Sequence, residues 1–167
     1  MKKLLLLRHA KSSWADAALA DFDRPLNERG LRAAPLMGRH MRERKLRPDL
    51  VVCSPAERAR QTASLVIQAA GLDAPLRFDE RIYDATSSRL FEIVSQIEDA
   101  SGEALLIGHN PGFEELLERL TGETQRMATA TLALISLDIE KWNKLRDGCG
   151  RLEWIVKPKE LGAGGRD

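Results

Sequence analysis

Leu4-Leu5-Leu6-Leu7-Arg8-His9 decides how this chain is read. Four successive leucines do not alternate with polar residues, so they do not describe a strand with one wet face. They describe a strand covered on both faces, as in parallel sheets. The run Ala104-Leu105-Leu106-Ile107-Gly108-His109 repeats the pattern. The chain has three histidines, and two of them close such a run. In an open α/β sheet, ligands sit beyond the carboxyl ends of the strands, where both histidines then fall.

Outward from these two runs, Lys3–Leu7, Leu50–Cys53, Leu76–Phe78 and Ala104–Ile107 are expected as parallel strands. Helical spacing lies between them. It is marked by Leu31, Met37, Met41 and Leu46, then by Ala59 through Ala70 ended by Gly71. Leu90, Ile93, Val94 and Ile97 mark a third helix, and Leu116, Leu117 and Leu120, ended near Gly122, a fourth. Pro35 falls inside the first pattern and is expected to kink it or delay its start. Thr131–Leu137 and Leu152–Val156 read as late strands that pair as a hairpin at one sheet edge. The alternation predicts an α/β fold: a three-layer α/β/α sandwich with a mostly parallel central sheet and an antiparallel edge strand. A single domain is expected over residues 1–156, and a mobile, glycine-bearing tail over 157–167.

A net charge of +1 supplies no bulk field for nucleic acid or a membrane surface, and neither is expected as a partner. No apolar stretch approaches the roughly 20 residues that span a bilayer. Met1-Lys2-Lys3 and the leucines mimic a signal peptide, but the run is too short and Arg8 to Lys11 interrupt it. Two cysteines make no disulfide framework, and Cys53 inside an apolar strand reads as an inert core thiol. A cytoplasmic protein fits these features.

The strand ends carry the chemistry. The first delivers Arg8 and His9, the second Ser54-Pro55-Ala56-Glu57-Arg58, the third Asp79 and Glu80, the fourth His109-Asn110-Pro111-Gly112. Helix starts at the second and fourth favour a bound anion. Arginine donates bidentately to phosphate oxygens, and Arg8 and Arg58 form the natural pair. A neutral imidazole has a lone pair with which to attack phosphorus. His9, beside Arg8, is the better candidate, since neighbouring cations disfavour its protonated form. His109 completes the donor set. Glu80 is the best-placed leaving-group acid by strand-end logic, although Asp79, Asp84, Asp16, Asp21 and Asp23 could also reach. His40 lies in a basic helical face and reads as surface. Trp14 either lines the pocket mouth or packs beneath its loop, while Trp142 and Trp154 read as packing residues.

Leu6-Leu7-Arg8-His9-Ala10-Lys11-Ser12-Ser13-Trp14 resembles the signature loop of the histidine phosphatase superfamily. Pro25-Leu26-Asn27-Glu28-Arg29-Gly30, Ser54-Pro55-Ala56-Glu57-Arg58-Ala59-Arg60-Gln61-Thr62-Ala63 and Gly108-His109-Asn110-Pro111-Gly112 resemble its later motifs, in order. The similarity spans residues 3 to 137 and is strongest to the SixA-type phosphohistidine phosphatases. It implies a phosphate pocket of Arg8, His9, Arg58 and His109, a phosphohistidine intermediate on His9, and no metal or other cofactor. It also implies Glu80 as the acid, and Ser12, in the signature loop, as a further substrate contact. Ala10 stands where the superfamily usually has Gly, and Ala15 where mutase relatives have Asn. The second departure weakens a mutase reading. The chain has little room for the segments that cover the substrate in mutases and acid phosphatases, so an open pocket is expected. That suits a phosphorylated protein side chain, such as a phosphohistidine on a phosphorelay component. Small phosphomonoesters are the alternative. A non-catalytic phosphate-binding module would need a damaged nucleophile, and His9 is intact. Zinc on the two histidines would be repelled by Arg8 and Arg58.

Overall fold

The computed structural model describes residues 1–162. Its strands are β1 (Lys2–Arg8), β2 (Leu50–Cys53), β3 (Leu76–Phe78), β4 (Glu103–Gly108), β5 (Leu132–Leu137) and β6 (Gly150–Val156). The helices are α1 (Glu28–Glu43), α2 (Glu57–Ala70), α3 (Ser87–Ser95) and α4 (Gly112–Thr121). One sheet runs β3-β2-β4-β1-β5-β6. The first four strands are parallel, and β5 and β6 complete the sheet antiparallel.

The leucine run does what its lack of alternation requires. Leu4 and Leu6 join one core with Leu90, Val94, Phe113 and Leu116 of α3 and α4. Leu5 and Leu7 join the other with Met37, Met41, Ala63 and Val66 of α1 and α2. All four leucines are fully buried. Successive side chains of a strand point to opposite faces, so a strand sandwiched between helices must be apolar at every position.

Three expectations change. β3 forms as read, but Leu76 and Phe78 are exposed, because β3 is the sheet's edge and pairs only with β2. α1 starts at Glu28, capped by the Asn27 side chain accepting from the Gly30 amide, so Pro35 does not delay it. Leu31 is exposed, and α1 instead buries Gly30, Ala34, Met37, Gly38 and Met41. A Cβ at Gly38 would sit 2.7 Å from the Ala69 Cβ, so only glycine lets α1 and α2 approach this closely. In the expected tail, Pro158–Leu161 forms a 3-10 turn, and Leu161 packs against the α1/α2 core. Residues 163–167 of that tail lie outside the described residues.

Among the described residues no helix is long and apolar enough to cross a membrane. Cys53 is buried, and burial pushes its thiol up to about 12, as expected of an inert core residue. Trp142 is fully buried with its indole N–H donating to the Ser101 carbonyl at 2.7 Å, a packing residue with its polar edge satisfied.

Candidate active site

Parallel pairing of β1 with β4 sets Arg8 opposite Gly108. The ladder runs one step further, with the His9 amide donating to the Gly108 carbonyl at 3.0 Å. The two histidines that follow are therefore neighbours by register, and their ring centroids lie 5.1 Å apart. Arg58 enters from the first turn of α2, where the Ser54 amide ties the end of β2 to the Ile107 carbonyl. Arg8, His9, Arg58 and His109 line one open cavity of about 210 Å³. The structure thus brings together the four residues read from the strand ends.

The His9 ring is oriented by its own loop. Nδ1 lies 2.7 Å from the Ala10 carbonyl oxygen. A carbonyl can only accept, so Nδ1 carries the proton and Nε2 keeps the lone pair. Burial, then the nearby His109, Arg58 and Arg8, lower the His9 pKa to about 3, so the ring is neutral near pH 7. Ala10, standing at a position usually taken by glycine, is fully buried, and its amide donates to Thr62 Oγ1. The added methyl group is absorbed by the core.

His109 Nε2 lies 2.7 Å from Ser54 Oγ. Ser54 Oγ accepts from the Ala56 amide and keeps both a second lone pair and its proton, so it can pair with either tautomer of the His109 ring. Its other ring nitrogen, His109 Nδ1, is a buried atom with no partner among the described residues. Burial and Arg58 lower the His109 pKa to about 4. Arg8 Nε and Arg58 Nε are also buried without a partner. Two guanidinium groups with an unpaired Nε–H each, beside an unpaired ring nitrogen of His109, on side chains lining one cavity suit an oxyanion.

Arg58 is held from the far side by Asp21. Its guanidinium donates to the Asp21 carbonyl at 2.7 Å and to Asp21 Oδ2 at 3.0 Å. Asp21 also accepts from the Tyr83 hydroxyl and from Arg24. These bonds, Tyr83's foremost, hold its carboxyl well below the usual range, so Asp21 is an anionic clamp and a poor proton donor. Tyr83 in turn stands edge-on to His109, centroids 5.6 Å apart. Ser54 stands in a strand-end motif whose reading assigns it no role, and Tyr83 and Arg24 have no sequence signature as site residues. Ser54 and Tyr83 act through a neighbour's ring, and Arg24 lies far from any strand end.

Ser12 and Trp14 both line the cavity. The Ser12 hydroxyl is engaged by Arg24 at 2.7 Å. Trp14 is 74% exposed with the Arg24 guanidinium 3.6 Å from its ring, so of its two readings the pocket mouth is correct. The strand-end reading of Glu80 is corrected: its side chain is exposed and is not among the cavity's lining. The sheet order explains this. β3 lies three strands from β1, about 14 Å at ordinary strand spacing, so its end does not reach His9. His40 is half-buried against Trp154 rather than on open surface, and the Trp154 ring also lies under Arg44.

Residues 4–90 match the histidine phosphatase superfamily (branch 1), and the chain belongs to that family. Within it, the structure is of the SixA type. The Agrobacterium tumefaciens protein that bears the name phosphohistidine phosphatase SixA is 30% identical, with a TM-score of 0.81 over 94% of this chain and 98% of that one. A protein histidine phosphatase SixA complexed with tungstate is 25% identical, with a TM-score of 0.82 over 95% and 99%. An uncharacterized Mycobacterium tuberculosis protein is 34% identical over 92% of this chain and its own whole length. Family and site together support phosphatase activity.

Proposed function

We propose that this protein hydrolyses phosphohistidine on a protein, through a phosphoenzyme formed at His9. The observation that carries the reading is the make-up of the cavity. It is lined by an imidazole nucleophile, cations and neutral groups, with no carboxylate among the lining residues. An alkyl phosphate needs a proton on its departing oxygen as the bond breaks, and such general acid catalysis contributes roughly 10²–10⁴-fold. A phosphohistidine leaving group is a ring nitrogen whose imidazole can already carry a proton. A site without an acid suits the P–N bond far better than the P–O bond.

His9 Nε2 attacks phosphorus as the substrate's P–N bond breaks, and the departing imidazole keeps the electron pair. Arg8, Arg58 and His109 bind the equatorial oxygens, where charge must be stabilised. Water then attacks the phosphorus on His9, releasing inorganic phosphate and restoring the neutral ring. The open cavity suits a side chain projecting from a protein, as on a phosphorelay component. None of these steps calls for a metal, so EDTA leaves turnover unchanged.

The test is a substrate panel of a phosphohistidine peptide, an aryl phosphate and sugar phosphates. The expected order of kcat/KM is phosphohistidine, then aryl, then alkyl. Sugar phosphates turned over best would overturn the reading in favour of a small-molecule phosphomonoesterase.

A further inference from the structure

A second cavity of about 180 Å³ adjoins the phosphate cavity, the two sharing Lys11 and Thr129 in their linings. Its charged lining consists of Lys11, Arg29, Lys157 and Lys159. A third hollow, sharing Arg8 and Asn110 with the phosphate cavity, adds Arg126 and meets the second at Lys157. None of these five cations has an ion-pair partner among the described residues. Elsewhere on the surface, Arg77, Arg81, Arg89, Arg119 and Arg151 are each paired with a carboxylate. The two acids nearby are already engaged. Glu114 accepts from Asn110 and from the Met127 amide, and Glu160 from the Lys157 amide. With a net charge of only +1, this is a local concentration of positive charge.

The frame under these cations is fixed. A Cβ at Gly30 would lie 2.2 Å from the Lys11 carbonyl oxygen, so the start of α1 packs directly on the signature loop. The Asn27 amide donates to that carbonyl at 2.9 Å. Lys157 and Lys159 ride on the Pro158–Leu161 turn, anchored by Leu161 in the core.

We propose that this cationic groove is a second anion subsite, and that it receives acidic side chains flanking the phosphorylated residue of the substrate. The assignment of the flank to a protein rests on the phosphohistidine reading above. The cations themselves do not. Acidic residues beside the phosphorylated side chain lower KM, because the field acts on binding and not on the reacting bond.

The experiment uses two phosphohistidine peptides, one with glutamates flanking the modified residue and one with glutamines. The same two flanks are built around phosphotyrosine, whose aryl ester leaves readily. Wild type is expected to favour the acidic flank by roughly ten-fold in KM at low salt, with kcat alike, and the preference should shrink at high salt. In Lys157→Gln/Lys159→Gln, and separately in Arg29→Gln, the ratio of acidic to neutral KM should move toward one. Equal KM for both flanks on every peptide hydrolysed would overturn the subsite. Flank preference on phosphotyrosine without phosphohistidine turnover would uphold the subsite and overturn the phosphohistidine reading. A KM gain confined to a small bisphosphate, with none for the acidic peptides, would overturn the assignment to a protein flank.

Discussion

Arg8, His9 and His109 reach the cavity from the two central strands of the sheet, whereas Trp14 and Arg24 reach it from a loop closed by the Ser12–Leu26 bridge, with Asp21 of that loop holding Arg58 from outside the lining. The strand-borne wall is fixed by backbone ladder bonds and full burial of the leucines beneath it. The loop-borne wall is held by side chains: one carboxylate, two guanidinium groups and a phenol. In the proposed mechanism the attacking nitrogen belongs to the first wall. The second aims Arg58 and shapes the entrance. Chemistry that tolerates little misplacement sits on the rigid element, and the groups that adjust it sit on the loop.

Substitutions should separate the two walls. His9→Ala is expected to lose on the order of 10⁴-fold or more in kcat/KM and to form no phosphoenzyme, since it removes the nucleophile. Rapid-quench trapping with labelled substrate checks this, and label persisting in the variant would remove His9 from that role. Arg58→Ala should lose about 10²–10³-fold, the usual effect of one transition-state donor. Near-normal kcat/KM would mean that the loop aims Arg58 away from the reacting phosphorus.

The buried, neutral histidines of the strand wall should also show in stability. An unfolded histidine titrates near about 6.5, while folded His9 titrates at about 3. Between those values the unfolded chain holds more protons, so stability is lost as pH falls and regained as it rises. At about pH 5 the His9 contribution is a loss of about 2 kcal/mol relative to pH 7. Urea denaturation of wild type and His9→Asn at both pH values measures it. The variant should lose less stability on acidification, and equal losses would show that His9 is not held neutral by the fold.

The loop wall predicts a smaller effect. Asp21→Asn loosens the grip on Arg58 without removing it, so about a ten-fold fall in kcat/KM is expected for a half-exposed charge-assisted bond. The same change in an Arg58→Ala background should cost little more, because both act through one guanidinium. Additive losses in that cycle would assign Asp21 a role of its own. The smallest effect belongs to Glu80 at the sheet edge. Glu80→Gln should leave phosphohistidine, aryl and alkyl phosphate hydrolysis unchanged, and slowing confined to the alkyl ester would restore it as the acid.

By itself the sequence determined the central strands, because only doubly covered strands carry unbroken runs such as Leu4–Leu7 and Ala104–Ile107. It pointed to Arg8, His9 and His109 as well, since polar residues at the ends of such runs emerge on the ligand-binding rim, and to Arg58 through the helix start that follows β2. Strand order was not legible, and this is where Glu80 was misplaced. Hydrophobic pattern reports whether a strand is covered, not how many neighbours stand between it and another. The same gap hid the exposure of β3, because a run of three residues is too short to reveal an edge. Only the tertiary structure decided the Asp21–Arg58 clamp, the Ser54–His109 contact and the groove between the signature loop and the Pro158–Leu161 turn. These join residues far apart in the chain through side-chain geometry, and no local periodicity or spacing records such contacts.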